Sequence, residues 1–162
     1  MTGLRTFLLA ASLAACGSAL GSTRLDDSLS PRQRVDAVAR WQYDGTGDWN
    51  EDQINALVAD VRSMEFRLRT AAYVGRNAEI YLSLPLHVTG LRTPTAMRVE
   101  WNTRGVFTPG SVLPGNRALV YRGKITAPVM SDFFDFRIFL DARTSERGIE
   151  FDPVFEIDVL SQ

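Results

Sequence analysis

The feature that most constrains this chain is a strict alternation near its middle. Between Glu79 and Thr89, the apolar Ile80, Leu82, Leu84, Leu86 and Val88 alternate with Glu79, Tyr81, Ser83, Pro85, His87 and Thr89. Successive side chains of a strand point to opposite faces, so a period of two predicts a strand with one buried and one solvated face. Pro85 has no N–H to give to a ladder, which suggests an edge or a bulge. The same period recurs elsewhere. Met64, Phe66 and Leu68 alternate with Glu65, Arg67 and Arg69, and Met97, Val99 and Trp101 alternate with Arg98, Glu100 and Asn102. Phe134, Phe136, Ile138 and Leu140 alternate with Phe133, Asp135, Arg137, Phe139 and Asp141. Further strands are expected over residues 117–126 and over 149–160, the latter broken at Pro153. Gly75, Arg76 and Asn77 predict a turn, and residues 108–116, rich in glycine and proline, predict a loop. About six such strands predict a mainly β fold over 64–160, an antiparallel β-sandwich of immunoglobulin-like or transthyretin-like size.

Upstream the period changes to that of a helix. Ser30 followed by Pro31 has the form of an N-cap and a first helical position, and Val35, Val38 and Ala39 follow at helical spacing. This predicts a helix over 31–41. Asp44, Gly45, Thr46, Gly47 and Asp48 predict a loop, and Asn50 with Gln53 resembles a capping box. Ile54, Leu57, Val58 and Val61 then lie at i, i+3, i+4 and i+7, which predicts a second amphipathic helix. The expected domain therefore spans 31–162, helical over 31–62, with two short α-helices before the sandwich.

The N-terminus carries a different pattern. Residues 1–5 hold one positive charge, at Arg5, and an apolar run from Phe7 to Ala15 follows. That run is too short to cross a bilayer as a helix and suits a secretory signal peptide. It ends in Leu13, Ala14, Ala15 and Cys16, a tetrapeptide that resembles the lipobox of bacterial lipoproteins. The resemblance covers the first 16 residues and implies that the Cys16 thiol receives diacylglycerol. It also implies that 1–15 is a cleaved signal peptide and that acylated Cys16 begins the mature chain. Residues 16–30, small and polar, would be the lipidated tether. Gly17 stands where an aspartate retains enterobacterial lipoproteins in the inner membrane, which points to the periplasmic face of the outer membrane. The expected membrane partner is reached through this N-terminal lipid, since multiple acyl chains anchor stably. Two alternatives remain: cleavage after Ala19, Leu20 and Gly21 to give a soluble secreted or periplasmic protein, or an intracellular chain with an apolar N-terminal helix. Cys16 is the sole cysteine, so stability must come from the core and not from an internal disulfide.

Composition narrows the function. The 162 residues, 45% of them hydrophobic, suit one globular domain. Lysine and arginine number 18 against 19 acidic residues, a net charge of -1, which argues against nucleic acid as the main partner. His87 is the only histidine and no G-x-S-x-G elbow is present, so no catalytic set is predicted. One histidine and one acylated cysteine cannot build a transition-metal site, and no metal ligand or cofactor is expected. Asp44, Asp48, Asn50 and Asp52 could offer oxygens to calcium, but their spacing is not that of an EF-hand and fits a turn and a helix N-terminus. Glu150, Asp152, Glu156 and Asp158 form an acidic rail, the one place for hydrolytic carboxylates, with Arg67, Arg69, Arg98, Arg122 and Arg137 as cross-strand partners. Trp41, Tyr43 and Trp49, together with Phe133 and Phe139 opposite the Phe134–Leu140 stripe, are the candidate binding surface. The expected function is a non-enzymatic binding or assembly module that contacts another envelope protein. An envelope hydrolase using the C-terminal carboxylates, or a saccharide or small-ligand binder, is the alternative.

Overall fold

The structure is a computed structural model that describes residues 21–31, 37–42, 55–144 and 148–161. The strands are β1 (Thr23–Arg24), β2 (Arg40–Trp41), β3 (Ala56–Arg69), β4 (Asn77–Ser83), β5 (Met97–Thr103), β6 (Gly110–Val112), β7 (Arg117–Lys124), β8 (Val129–Asp141) and β9 (Val154–Val159). They form two antiparallel sheets, ordered β1-β9-β4-β7 and β2-β3-β8-β5-β6, whose apolar faces share one core. The mainly β sandwich expected from the alternation is what the chain forms.

The five-stranded sheet is built on the pairing of β3 with β8, from Ala56 opposite Asp141 to Arg69 opposite Val129. A bulge interrupts it between Val61 and Met64. Ser63 lies there at φ 58, in a region few side chains adopt, and its N–H donates to Asp135 Oδ1 at 2.7 Å. The extra residue reverses parity. Ala59 and Val61 face the core before it, and Phe66 and Leu68 after it.

Aromatic rings join the two sheets. Phe66 of β3 lies 4.9 Å from Phe155 of β9 and 5.4 Å from Phe134 of β8, the latter edge to face at 87°. Phe107 enters the same cluster from the β5–β6 connection, 5.8 Å from Phe134. These spacings and tilts are those aromatic rings prefer.

One buried carboxylate fixes that connection. Asp132 faces inward at the end of the core and accepts from the backbone N–H groups of Arg104 (3.2 Å), Phe107 (3.0 Å) and Phe133 (2.7 Å). A Cβ at Gly105 would stand 2.9 Å from Asp132 Oδ1, so only glycine allows so close an approach.

Several expectations are corrected. The structure contains no α-helix among the described residues. Residues 56–61, predicted as the heart of the second helix, belong to β3; residues 50–54 lie outside the described residues. Of the first helix, 32–36 lie outside them, 37–39 are irregular and Arg40–Trp41 form β2. The apolar stripe was ambiguous because Leu57, Ala59 and Val61 satisfy a strand period while Val58 adds a helical coincidence. The β-branched Val58 and Val61 and the long partner β8 favour the strand. The strand expected to reach Thr89 stops at Ser83, two residues before Pro85. The predicted 108–116 loop contains β6, and the last strand starts only after Pro153. In the stretch assigned to the tether, β1 pairs with β9 and Leu25 is buried in the core.

Asp132→Ala is expected to destabilise the fold by about 2–3 kcal/mol, because it strands buried N–H donors. The measurement is a lower urea midpoint at unchanged m. Asp132→Asn, which keeps an acceptor oxygen, should lose less.

Candidate functional site

The outer face of the four-stranded sheet carries the densest polar cluster, and Arg117 of β7 is its centre. Its guanidinium lies 4.1 Å above the Tyr81 ring of β4 and 3.0 Å from Asp158 Oδ2 of β9. Its Nη1 donates to Ser22 Oγ at 3.0 Å and lies 3.7 Å from Glu156 Oε2. Ser22 Oγ in turn donates to Glu156 Oε2 at 3.0 Å, and Ser83 Oγ donates to Glu156 Oε1 at 3.1 Å. One arginine thus spans from the β7 edge to the residue that precedes β1. Beside it, Glu79 accepts from the Tyr81 hydroxyl and pairs with Arg122 at 2.5 Å. Tyr81 chiefly, and Arg122 after it, hold the Glu79 carboxyl below its ordinary range, and the same bond pushes the Tyr81 phenol up. Asp158 keeps the Arg117 guanidinium more firmly protonated than usual. Asp158 Oδ1 is buried with no hydrogen-bond partner.

The outer face of the five-stranded sheet is a second ladder of ion pairs. Asp60 of β3 takes Arg137 Nε of β8 at 2.9 Å and Arg40 Nη2 of β2 at 2.7 Å, and these bonds lower its pKa. Asp135 accepts from Arg104 Nη2 on both oxygens at 2.9 Å, in addition to the Ser63 N–H, and is lowered for the same reason. Among the described residues, each carboxylate with a displaced pKa moves downward. These are anions held by hydrogen bonds and arginines, whereas a general acid needs a carboxyl pushed up.

The sequence-predicted residues are only partly brought together. Glu156 and Asp158 share the outer face of β9, but Glu150 and Asp152 lie on the exposed segment before it, so the rail is not continuous. The five arginines expected to partner the rail pair elsewhere. Arg67 and Arg98 bond within their own strands to Glu65 and Glu100, Arg69 pairs with Asp26, Arg122 with Glu79 and Arg137 with Asp60. The rail is served by Arg117, which its place in a featureless 117–126 strand did not single out. Phe133 and Phe139 do face outward as expected, Phe133 at 42% exposure. Asp135 and Arg137 stand between them, so they form no single patch; Phe139 is half covered and carries the Arg98 guanidinium 4.3 Å above its ring. Trp41 sits on the short edge strand β2, 58% exposed. Tyr43 and Trp49, and the calcium candidates Asp44, Asp48, Asn50 and Asp52, lie outside the described residues. His87 is exposed in the bend after β4, not on a strand. No cluster of metal-ligating side chains occurs among the described residues. Nor is any helix among them long and apolar enough to cross a membrane.

One open groove of about 750 Å³ runs where the edge strands β6 and β7 approach, lined by Arg98, Ser111, Val112, Leu113, Gly115, Asn116 and Arg117. Compared with known proteins, the chain matches no family model, no curated protein and no solved structure.

Two outcomes follow from these pairings. Arg117→Met should loosen β1 and speed exchange of the Leu25 amide, which donates to Phe155 O at 2.8 Å, while amides of β3 and β8 stay protected. The lowered carboxylates also set an acid limb. Their folded pKa values lie below the unfolded values near 4, so their stabilisation is complete above about pH 5 and is lost as pH falls through the folded values. Urea midpoints measured from pH 7 to pH 2 should fall at the acid end, and Asp60→Asn with Asp135→Asn should flatten that limb.

Proposed function

We propose that the chain is a lipid-anchored, non-enzymatic protein of the bacterial cell envelope whose sandwich presents a binding or assembly surface to another envelope protein. The observation that carries this is Cys16, the sole cysteine, placed at the end of the short apolar run in the Leu13-Ala14-Ala15-Cys16 tetrapeptide. Gly17 after the cysteine favours the periplasmic face of the outer membrane. The size of the β-rich part supports an immunoglobulin-like or transthyretin-like sandwich.

The ion pairs that already engage Glu156 and Asp158 with Arg117 support binding over hydrolysis, because they tie up the two carboxylates that a hydrolytic site on β9 would use. The groove between β6 and β7 favours a second reading, a small anionic or polyhydroxy ligand held by Arg98, Asn116 and Arg117.

Mass spectrometry of the mature N-terminus tests the anchor. A diacylated or triacylated Cys16, absent in Cys16→Ala, is the expected result. An unmodified N-terminus at Ser22 would replace the anchor with a freely diffusing secreted protein.

A further inference from the structure

One end of the sandwich is chemically unlike the rest. Three segments meet there. Thr70 N–H donates to Pro128 O, Gly75 N–H to Ile125 O, Ile125 N–H to Arg76 O and Leu160 N–H to Asn77 O. The connections over 70–76 and 125–128, the start of β8 and the end of β9 are thus hydrogen-bonded into one surface. Residues 70–76 and 124–131 contain no Asp or Glu. They do contain exposed Arg76 and Lys124, the only lysine of the chain, and neither has a carboxylate partner among the described residues. Between these cations stand Val74 at 48% exposure, Val129 at 38% and Leu160 at 37%. The bordering carboxylates Asp26, Glu79 and Asp158 are each paired with an arginine. The opposite end carries Asp141, Glu150 and Asp152.

The direction of the chain selects what this end faces. β1 runs antiparallel to β9, with Thr23 opposite Ile157 and Arg24 opposite Glu156. Upstream of Thr23 the chain therefore heads toward Val159 and Leu160, the same end. Only residues 17–21 separate Cys16 from Ser22, a reach of about 20 Å when fully extended. An acyl chain on Cys16 would hold Ser22 within that distance of a bilayer, and the direction of β1 turns the Leu160 end toward it.

We propose that this end of the sandwich is a bilayer-contacting surface, with Val74, Val129 and Leu160 entering the headgroup region and Arg76 and Lys124 meeting lipid phosphates. The proposal rests on the lipid-anchor reading and adds the orientation of the domain. Exposed apolar tips rimmed by cations complement an anionic lipid surface. The orientation points the β6–β7 groove away from the bilayer, toward partners.

The acylated full chain, reconstituted in vesicles of phosphatidylethanolamine and phosphatidylglycerol, provides the test. Acylated Cys16 leaves no other thiol, so spin labels can be placed singly through Val74→Cys, Val129→Cys and, at the other end, Leu86→Cys. Collision with lipid-soluble oxygen should exceed collision with a water-soluble nickel chelate at Val74 and Val129, and the order should invert at Leu86. Adding Arg76→Glu and Lys124→Glu should return the Val74 label to the aqueous pattern. A Val74 label as aqueous as Leu86 on vesicle-bound protein would overturn the docking and leave the anchor standing. Protein that fails to float with the vesicles would overturn the anchor, and the docking with it.

Discussion

The contact of Phe155 with Phe66 and Phe134 is the joint on which the molecule depends. It is where the last strand of one sheet meets the long β3–β8 pair of the other. Rings at these separations are both close-packed and favourably tilted, so the two sheets are held in one relative placement. The same residue orders the N-terminus. The Phe155 carbonyl accepts from Leu25, whose side chain drops into the core, and β1 is added beside β9 at that point. The polar hub around Arg117 is laid over this arrangement from outside and would have no Ser22 to hold without it.

Ion pairs play a secondary part in stability. Exposed pairs contribute little singly. Their effect is on the character of the surface: both outer sheet faces present arginine and carboxylate already matched to each other, with charge nearly cancelled locally. Arg76 and Lys124, beside the exposed Val74, have no carboxylate partner among the described residues.

The sandwich was legible in the sequence because its long strands keep one face wet, and a wet face writes a period of two into the residues. Met64–Leu68, Met97–Trp101 and Phe134–Leu140 were readable for that reason. β1 and β2 were not, because two residues are too few to show a period. The start of β3 was misread because the bulge at Ser63 reverses parity, so the alternation after it does not extend backwards in phase. Without that continuity, Leu57, Val58 and Val61 imitate a helix. Phe133 and Phe139 were placed on the correct face, since that needs only parity. That they do not form one patch, and that Arg117 rather than the alternating arginines reaches Glu156 and Asp158, depends on diagonal reach across strands, which no local pattern records.

The way the chain enters the domain also fixes how it bears load. A pull on the residues upstream of Ser22 runs along β1, parallel to β9. The hydrogen bonds between the two strands are then sheared together instead of unzipped one at a time, with Leu25 seated in the core as a stop. Tension applied there meets the β1–β9 hydrogen bonds and the buried Leu25 side chain together.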